Sequence, residues 1–238
     1  MKFKIDLLTK VFPGKSSAGA LGLSSCALIR GGEKMVLFDT GAHGAMPVLL
    51  NAFQTLAFNP EDVEVLFLSH LHYDHLNNAA IFPNATIITN KTELKYASEV
   101  CDLWTPLESI LYLKEQRKLQ FVEDGEEFLP GMRAIFTPGH TPGHMSLALN
   151  DGDEVIVLAG DSVKNRSELK LEQADSSVDT AASTASIKRI KKMASKVLPG
   201  HDGWLLLKDG AIVPQEELTL EVRLPEGCNT ENLYLLRA

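Results

Sequence analysis

Three of the chain's seven histidines, together with a carboxylate, fall within the six residues His70-Leu71-His72-Tyr73-Asp74-His75. Neutral imidazole is the commonest protein ligand for zinc-like ions, and carboxylate adds the charge such an ion needs. This run constrains the fold because the remaining ligands must be delivered from elsewhere on rigid supports. A solvated surface loop is the competing reading. It fits poorly, because residues 63–68 just before the run are apolar and read as a buried strand.

The same junction recurs along the chain. Residues 25–29 and 35–38 are apolar and flank Arg30-Gly31-Gly32-Glu33-Lys34, the pattern of a hairpin. Residues 45–57 carry Val48, Leu49, Ala52, Phe53 and Leu56 at helical spacing, with Pro47 tolerated near the start. Residues 85–89 read as a strand, and residues 91–100 and 107–118 as helices. Residues 132–136 form a strand ending at Thr137-Pro138-Gly139-His140. Residues 146–149 and 155–158 pair across Asn150-Asp151-Gly152-Asp153, and the second ends at Gly160-Asp161. A helix over 180–194 precedes a short strand, 196–198, that ends at Pro199-Gly200-His201. Strand after strand thus ends in a loop with His or Asp, and such loops can converge on one site. Residues 217–236 read as two further strands around Pro225-Glu226-Gly227.

Bulk properties bound the function classes. A length of 238 residues suits one large α/β domain or two small ones, and 45% apolar residues can build a core. The net charge of −8 argues against non-specific nucleic-acid or anionic-membrane binding. Cys26, Cys101 and Cys228 are odd in number and widely spaced, so no disulfide framework is expected and a reducing compartment is the default. The first ten residues lack the apolar stretch of a leader, and no apolar run reaches bilayer-spanning length. These features point to a soluble, cytoplasmic protein.

Within the histidine run, an extended segment lets His70 and His72 face one ion, while Asp74 and His75 fall on the next bend. A further carboxylate such as Asp161 can place one oxygen on each of two ions, and pairs about 3.5–4 Å apart recur in hydrolases.

His70-x-His72-x-Asp74-His75, Thr137-Pro138-Gly139-His140-Thr141-Pro142-Gly143-His144, Gly160-Asp161 and Pro199-Gly200-His201, in this order, resemble the metallo-β-lactamase-fold hydrolase superfamily. Phe38-Asp39-Thr40-Gly41 resembles a further feature of that family, a strand-end Asp that supports the metal site. The resemblance covers residues 25–201. It implies an α/β fold, a four-layer αβ/βα sandwich, built as a single domain over residues 1–238 with a strand-like C-terminal extension from about residue 211. It implies two divalent ions, zinc foremost, with iron, manganese or cobalt compatible with the donors. His70, His72 and His140 would hold one ion and Asp74, His75 and His201 the other, with Asp161 bridging. Asp39 and His144 would support ligands rather than bind metal. His43 reads as a solvated or packing residue.

The expected chemistry is hydrolysis of an ester, thioester or lactone in a small substrate by a metal-activated hydroxide that Asp74 orients. Relatives with a Cys ligand at the Asp161 position, with a Glu at the His72 position, with an inserted nuclease domain or with a helical C-terminal domain fit less well. The small single-domain hydrolases remain, including N-acyl-homoserine lactonases and the group resembling metallo-β-lactamase domain-containing protein 1. Lactonases commonly carry Tyr three residues after the bridging Asp, where this chain has Lys164. Lys164 and Arg166 read equally as substrate contacts or as solvated loop cations. The basic stretch Ile187-Lys188-Arg189-Ile190-Lys191-Lys192 reads as the solvated face of a helix, which disfavours nucleic acid as a partner. Tyr96, Trp104 and Tyr112 in residues 94–118 suit core or oligomer packing, compatible with a homodimer, or a pocket wall. The alternatives are a mononuclear iron enzyme of the persulfide dioxygenase kind, a phosphodiester (RNA) hydrolase, and a fold retained for binding alone.

Overall fold

The structure is a computed structural model that describes residues 2–100, 103–116, 118–227 and 233–238. Strand β1 (Lys4–Leu7) is followed by a small ribbon of β2 (Lys15–Ser16) and β3 (Gly19–Ala20), and then by β4 (Ala27–Arg30) and β5 (Val36–Phe38). Helix α1 (Met46–Thr55) leads to β6 (Val65–Phe67), the single turn α2 (Tyr73–Leu76) and β7 (Thr86–Thr89). Helices α3 (Lys91–Val100) and α4 (Leu107–Glu115) precede β8 (Leu119–Phe121), β9 (Glu127–Leu129), β10 (Met132–Phe136), β11 (Met145–Asp151) and β12 (Glu154–Gly160). Helices α5 (Arg166–Leu171) and α6 (Thr180–Met193) then lead to β13 (Lys196–Pro199), β14 (Leu205–Lys208), β15 (Ala211–Pro214), β16 (Thr219–Arg223) and β17 (Leu233–Arg237).

Two large sheets result, one of six strands in the order β1-β4-β5-β6-β7-β8 and one of seven in the order β15-β14-β13-β12-β11-β10-β9. Side chains alternate between the two faces of each strand, and that alternation sorts the core into three layers. Leu28, Leu37, Leu66 and Ile87 face outward onto Leu49, Phe53, Ile110 and Leu113 of the helices. Ala27, Ile29, Val36, Phe38, Val65, Phe67 and Ile88 face the second sheet and meet Met132, Ala134, Met145, Leu147, Leu149 and Leu158. Ile135, Ala148, Val157 and Val197 face Leu169, Ile187 and Ile190 on the far side. Both faces of both sheets are therefore covered, which is why the central strands are apolar without a polar face. The result is the four-layer αβ/βα sandwich expected.

Most expected elements are present, including the hairpin of β4 and β5, which pair antiparallel. Some boundaries differ. The helix expected over 107–118 ends at Glu115, and Leu119–Phe121 pairs with β7 as an edge strand. Ala211–Pro214, expected at the head of the C-terminal extension, pairs with β14 in the second sheet, so the separate ribbon is β16 with β17. Asp209 and Gly210 both have positive φ between β14 and β15, the geometry of a two-residue hairpin turn. Cys101 and Cys228 lie outside the described residues, and Cys26 is buried and unpaired by any disulfide. Among the described residues, no helix is long and apolar enough to cross a membrane.

Parallel β5 and β6, central in the first sheet, terminate together at Phe38 and Phe67, and the loops that follow β10, β12 and β13 of the second sheet meet the residues beyond them. A backbone bond from the Met145 amide to the Ser69 carbonyl (2.8 Å) ties the two sheets there. Phe67 stacks on Phe38 and Phe128 at centroid distances of 5.8 and 5.6 Å, at the middle of the inter-sheet layer. Phe67→Ala is expected to cost about 3–5 kcal/mol, seen as a lower urea midpoint. Leu111→Ala, on the exposed face of α4, is expected to stay within about 0.5 kcal/mol.

Candidate metal centre

Strand β6 stops at Phe67, and the chain bends at Ser69 and is extended at His72 before turning into α2. His70 and His72 therefore leave the backbone before the turn, and Asp74 and His75 leave it within the turn. His140 arrives from the loop after β10, Asp161 directly after β12 and His201 after β13. Three sets of ligand-type atoms lie within 4.8 Å of one another: His70, His72 and His140; His70, His75 and Asp161; and Asp74, His75 and His201. All seven residues expected as ligands are thus brought together.

The contacts divide around Asp161. Its Oδ2 lies 3.3 Å from His140 Nε2, and its Oδ1 lies 3.4 Å from His75 Nε2 and 3.2 Å from His201 Nε2. His140 Nε2 is 3.1 Å from His72 Nδ1, while Asp74 Oδ2 is 3.5 Å from His201 Nε2 and 3.7 Å from His75 Nε2. Gly200 is required for this approach, because a Cβ there would lie 2.1 Å from Asp161 Oδ1.

These residues fit a bound cation. Among the described residues, the buried atoms His70 Nε2, His75 Nε2 and Asp161 Oδ1 make no well-aligned hydrogen bond despite the close approach of Asp161 to His75 and His201, whereas buried polar atoms are nearly always satisfied. The outward nitrogens are occupied instead. His75 Nδ1 is 2.8 Å from Asp39 Oδ2, His70 Nδ1 is 3.0 Å from Ser69 Oγ, and His140 Nδ1 is 3.3 Å from the Ser176 carbonyl. Such bonds orient an imidazole so that its other nitrogen faces the ion.

Protonation follows the same division. Burial, reinforced by neighbouring imidazoles, holds His70 well below its usual pKa and lowers His72 to about 4. Burial also lowers His140. These three rings are neutral at neutral pH, with lone pairs available. Burial opposes charge on His75 and His201 too, but Asp74 and Asp161 outweigh it and raise both, with Asp39 adding to His75. Asp161 is held well below the carboxylate range, against its burial, by His201, His75 and His140. The carboxylate-rich half thus favours protons on His75 and His201, and a metal ion would compete with them.

Asp39 is fully buried, with a left-handed backbone (φ 54°) that Asp tolerates. It accepts from the Ser69 amide and hydroxyl, both at 2.7 Å, besides holding His75. His144 is also buried, with Nδ1 2.9 Å from Thr137 Oγ1 and Nε2 accepting from the Ser162 amide at 3.2 Å. Both its nitrogens are engaged, as suits a supporting residue. His43 is exposed at the start of a short turn, away from the cluster.

Both loop cations are paired with acids. Lys164 Nζ donates to Glu168 Oε1 and to the Ser176 carbonyl, both at 3.0 Å. Arg166, expected beside it as a substrate contact, forks onto buried Asp202 at 2.8 and 2.7 Å instead. The basic face of α6 pairs with acids, Lys188 and Lys191 with Glu172 and Arg189 with Asp124. Of the aromatics in residues 94–118, Trp104 borders the cluster, its ring 6.2 Å from His72 and 6.0 Å from Tyr73. Tyr112 packs on the outer core of the first sheet. Sequence reasoning missed Ser69, Glu93 and Asp202, whose partners are distant in the chain.

Residues 19–201 match the family model of the metallo-beta-lactamase superfamily. An N-acyl homoserine lactonase of a Bacillus species is 30% identical over 163 residues, covering 65% of this chain and 62% of that protein. The lactonase AttM of Rhizobium radiobacter is 29% identical over 172 residues, covering 64% and 63%. The match to each therefore spans less than two thirds of the relative's length. Among solved structures, a quorum-quenching N-acyl homoserine lactone lactonase is 25% identical with a TM-score of 0.66, covering 84% of this chain and 92% of that one. The dizinc quorum-quenching lactonase AidC, at 20% identity, shares the fold with a TM-score of 0.67 over 90% and 92%. A family match over most of the chain, on a sandwich whose strand-end loops gather the same histidines and aspartates, means that this protein belongs to the metallo-β-lactamase superfamily.

Proposed function

We propose that this protein is a dinuclear metallohydrolase that cleaves an ester, thioester or lactone bond in a small substrate. The observation that carries the reading is the placement of Asp161, whose two oxygens face different groups of histidines. His70, His72 and His140 would hold one divalent ion, and Asp74, His75 and His201 the other, with Asp161 shared. The donor set suits zinc and also accommodates iron, manganese or cobalt. Such a pair supplies Lewis acidity and water acidified toward neutral pH.

The protein's own groups do the rest. Asp74 is the more exposed of the two ligand-type carboxylates, with 22% of its side chain exposed against 7% for Asp161. Its Oδ2 faces His75 and His201, which leaves Oδ1 to take a proton from the attacking water and return it to the leaving oxygen or sulfur. Trp104 and Tyr73 form an apolar wall beside His72 that shields one side of a bound substrate from water. Lys164 is the substrate contact we retain, since its ammonium reaches the Ser176 carbonyl that also meets His140. Lactone hydrolysis is favoured within the class by the lactonase relatives. The ligands come from both sheets, which supports one domain rather than two.

Metal quantification on purified protein, followed by turnover on ester, thioester, lactone and phosphodiester panels, tests the reading. Two ions per chain and cleavage of a carbonyl substrate are expected. One iron per chain with oxygen consumption would overturn it. Asp161→Ala is expected to reduce metal content below two ions and abolish turnover. Full metal content and activity in that variant would sink the bridged arrangement. Asp74→Asn should lower kcat by about 10²–10⁴-fold, read by steady-state kinetics. Asp39→Asn should weaken metal binding by about 10–100-fold, measured by competition with a chromophoric chelator.

A further inference from the structure

Glu93 is a second carboxylate fully buried beside the centre, and the chemistry above does not use it. It sits on α3 and touches no ligand imidazole among its hydrogen bonds. Its Oε1 accepts from the Leu71 amide at 3.0 Å. Its Oε2 accepts from the Thr141 hydroxyl at 2.7 Å and from the Gly143 amide at 3.0 Å. All three donors are neutral, and none brings a compensating charge. Burial accordingly pushes its pKa up to about 7 against the lowering effect of those bonds. Burying an ionisable group without a charged partner is costly, and an apolar side chain would pack α3 at no such cost. Ala97, one turn on, does so.

What the three bonds join gives the carboxylate a purpose. Leu71 lies between His70 and His72. Thr141 follows His140, and Gly143 closes the same loop. One side chain therefore ties together the two loops that carry His70, His72 and His140. The approach is tight, because a Cβ on Gly143 would lie 2.2 Å from the Glu93 amide nitrogen. The other half of the centre is held by different groups. The Ser24 hydroxyl bonds the Asp74 carbonyl, Asp39 holds His75, and the Arg166–Asp202 pair adjoins His201.

We propose that Glu93 is a positioning residue that selectively sets the metal affinity of the His70, His72 and His140 half by clamping its two loops. The inference rests on the paired-site reading above. Gln at this position keeps the shape but replaces one acceptor oxygen with a donor that faces N–H and O–H groups.

The test is cobalt titration of the metal-free protein, read by visible absorbance. It is run in a His201→Ala background that weakens the other half and in a His72→Ala background that weakens this one. In the first background Glu93→Gln is expected to weaken binding by about 10–100-fold, as outer partners of metal ligands do. In the second it is expected to leave binding unchanged. Thr141→Val, which removes one of the three bonds, should act in the same direction by a smaller factor, and Thr141→Ser should restore it. If Glu93→Gln fails to fold by circular dichroism, the two Thr141 variants decide. No change in either background, or equal weakening in both, would overturn the proposal. If the unsubstituted protein takes up only one ion, the paired-site reading fails. Weaker binding of that ion in Glu93→Gln would still uphold the clamp, and unchanged binding would refute it.

Discussion

The arrangement depends on keeping three carboxylates and a set of imidazoles together beyond the strand ends of two stacked sheets. Asp39 and Asp161 are buried, and Asp74 is mostly so. Unpaired, such charges would each cost several kcal/mol. In the metal-free chain they raise the proton affinity of His75 and His201, while burial lowers that of His70, His72 and His140. The sandwich makes this tolerable because each group sits at the end of a strand held on both faces. The apolar layer around Phe38 and Phe67 lies just beneath Asp39 and Ser69, so core packing and charge placement are linked at adjacent residues.

Much of this was legible in the chain. The histidine run is local, and Thr137-Pro138-Gly139-His140, Gly160-Asp161 and Pro199-Gly200-His201 each follow an apolar strand that can be read by pattern. The three-layer sorting of the core follows from alternation in strands of three to seven residues. What was not legible is non-local. Glu93 is one of two acids in an amphipathic helix, and only the folded chain puts it beside Leu71 and Gly143. Arg166 looks like a loop cation until Asp202, 36 residues on, reaches it. Leu119–Phe121 is too short and too half-exposed to stand out from the helix before it. The hairpin of β14 and β15 had a usable signal in Asp209-Gly210, but its flanking strands lie at a sheet edge and alternate weakly.

Around the cluster, the substrate side and the supporting side are built differently. On the supporting side, buried acids hold ligands or their loops with fixed short bonds. On the open side stand Trp104, Tyr73, Asp74 and Lys164, each at least partly exposed. Lys164 is drawn back by Glu168.

The tie between the Ser25 hydroxyl and the Pro199 carbonyl, at a sequence separation of 174 residues, bears on the order in which the molecule assembles. Closing so long a loop costs entropy that only the docked sheets repay. The first sheet can gather His70, His72, Asp74 and His75 early, but Asp161 and His201 join only when the second sheet docks. A chain still emerging from the ribosome therefore offers a metal only a partial set of ligands. The seven ligand-type residues therefore come together only in molecules whose two sheets have already met.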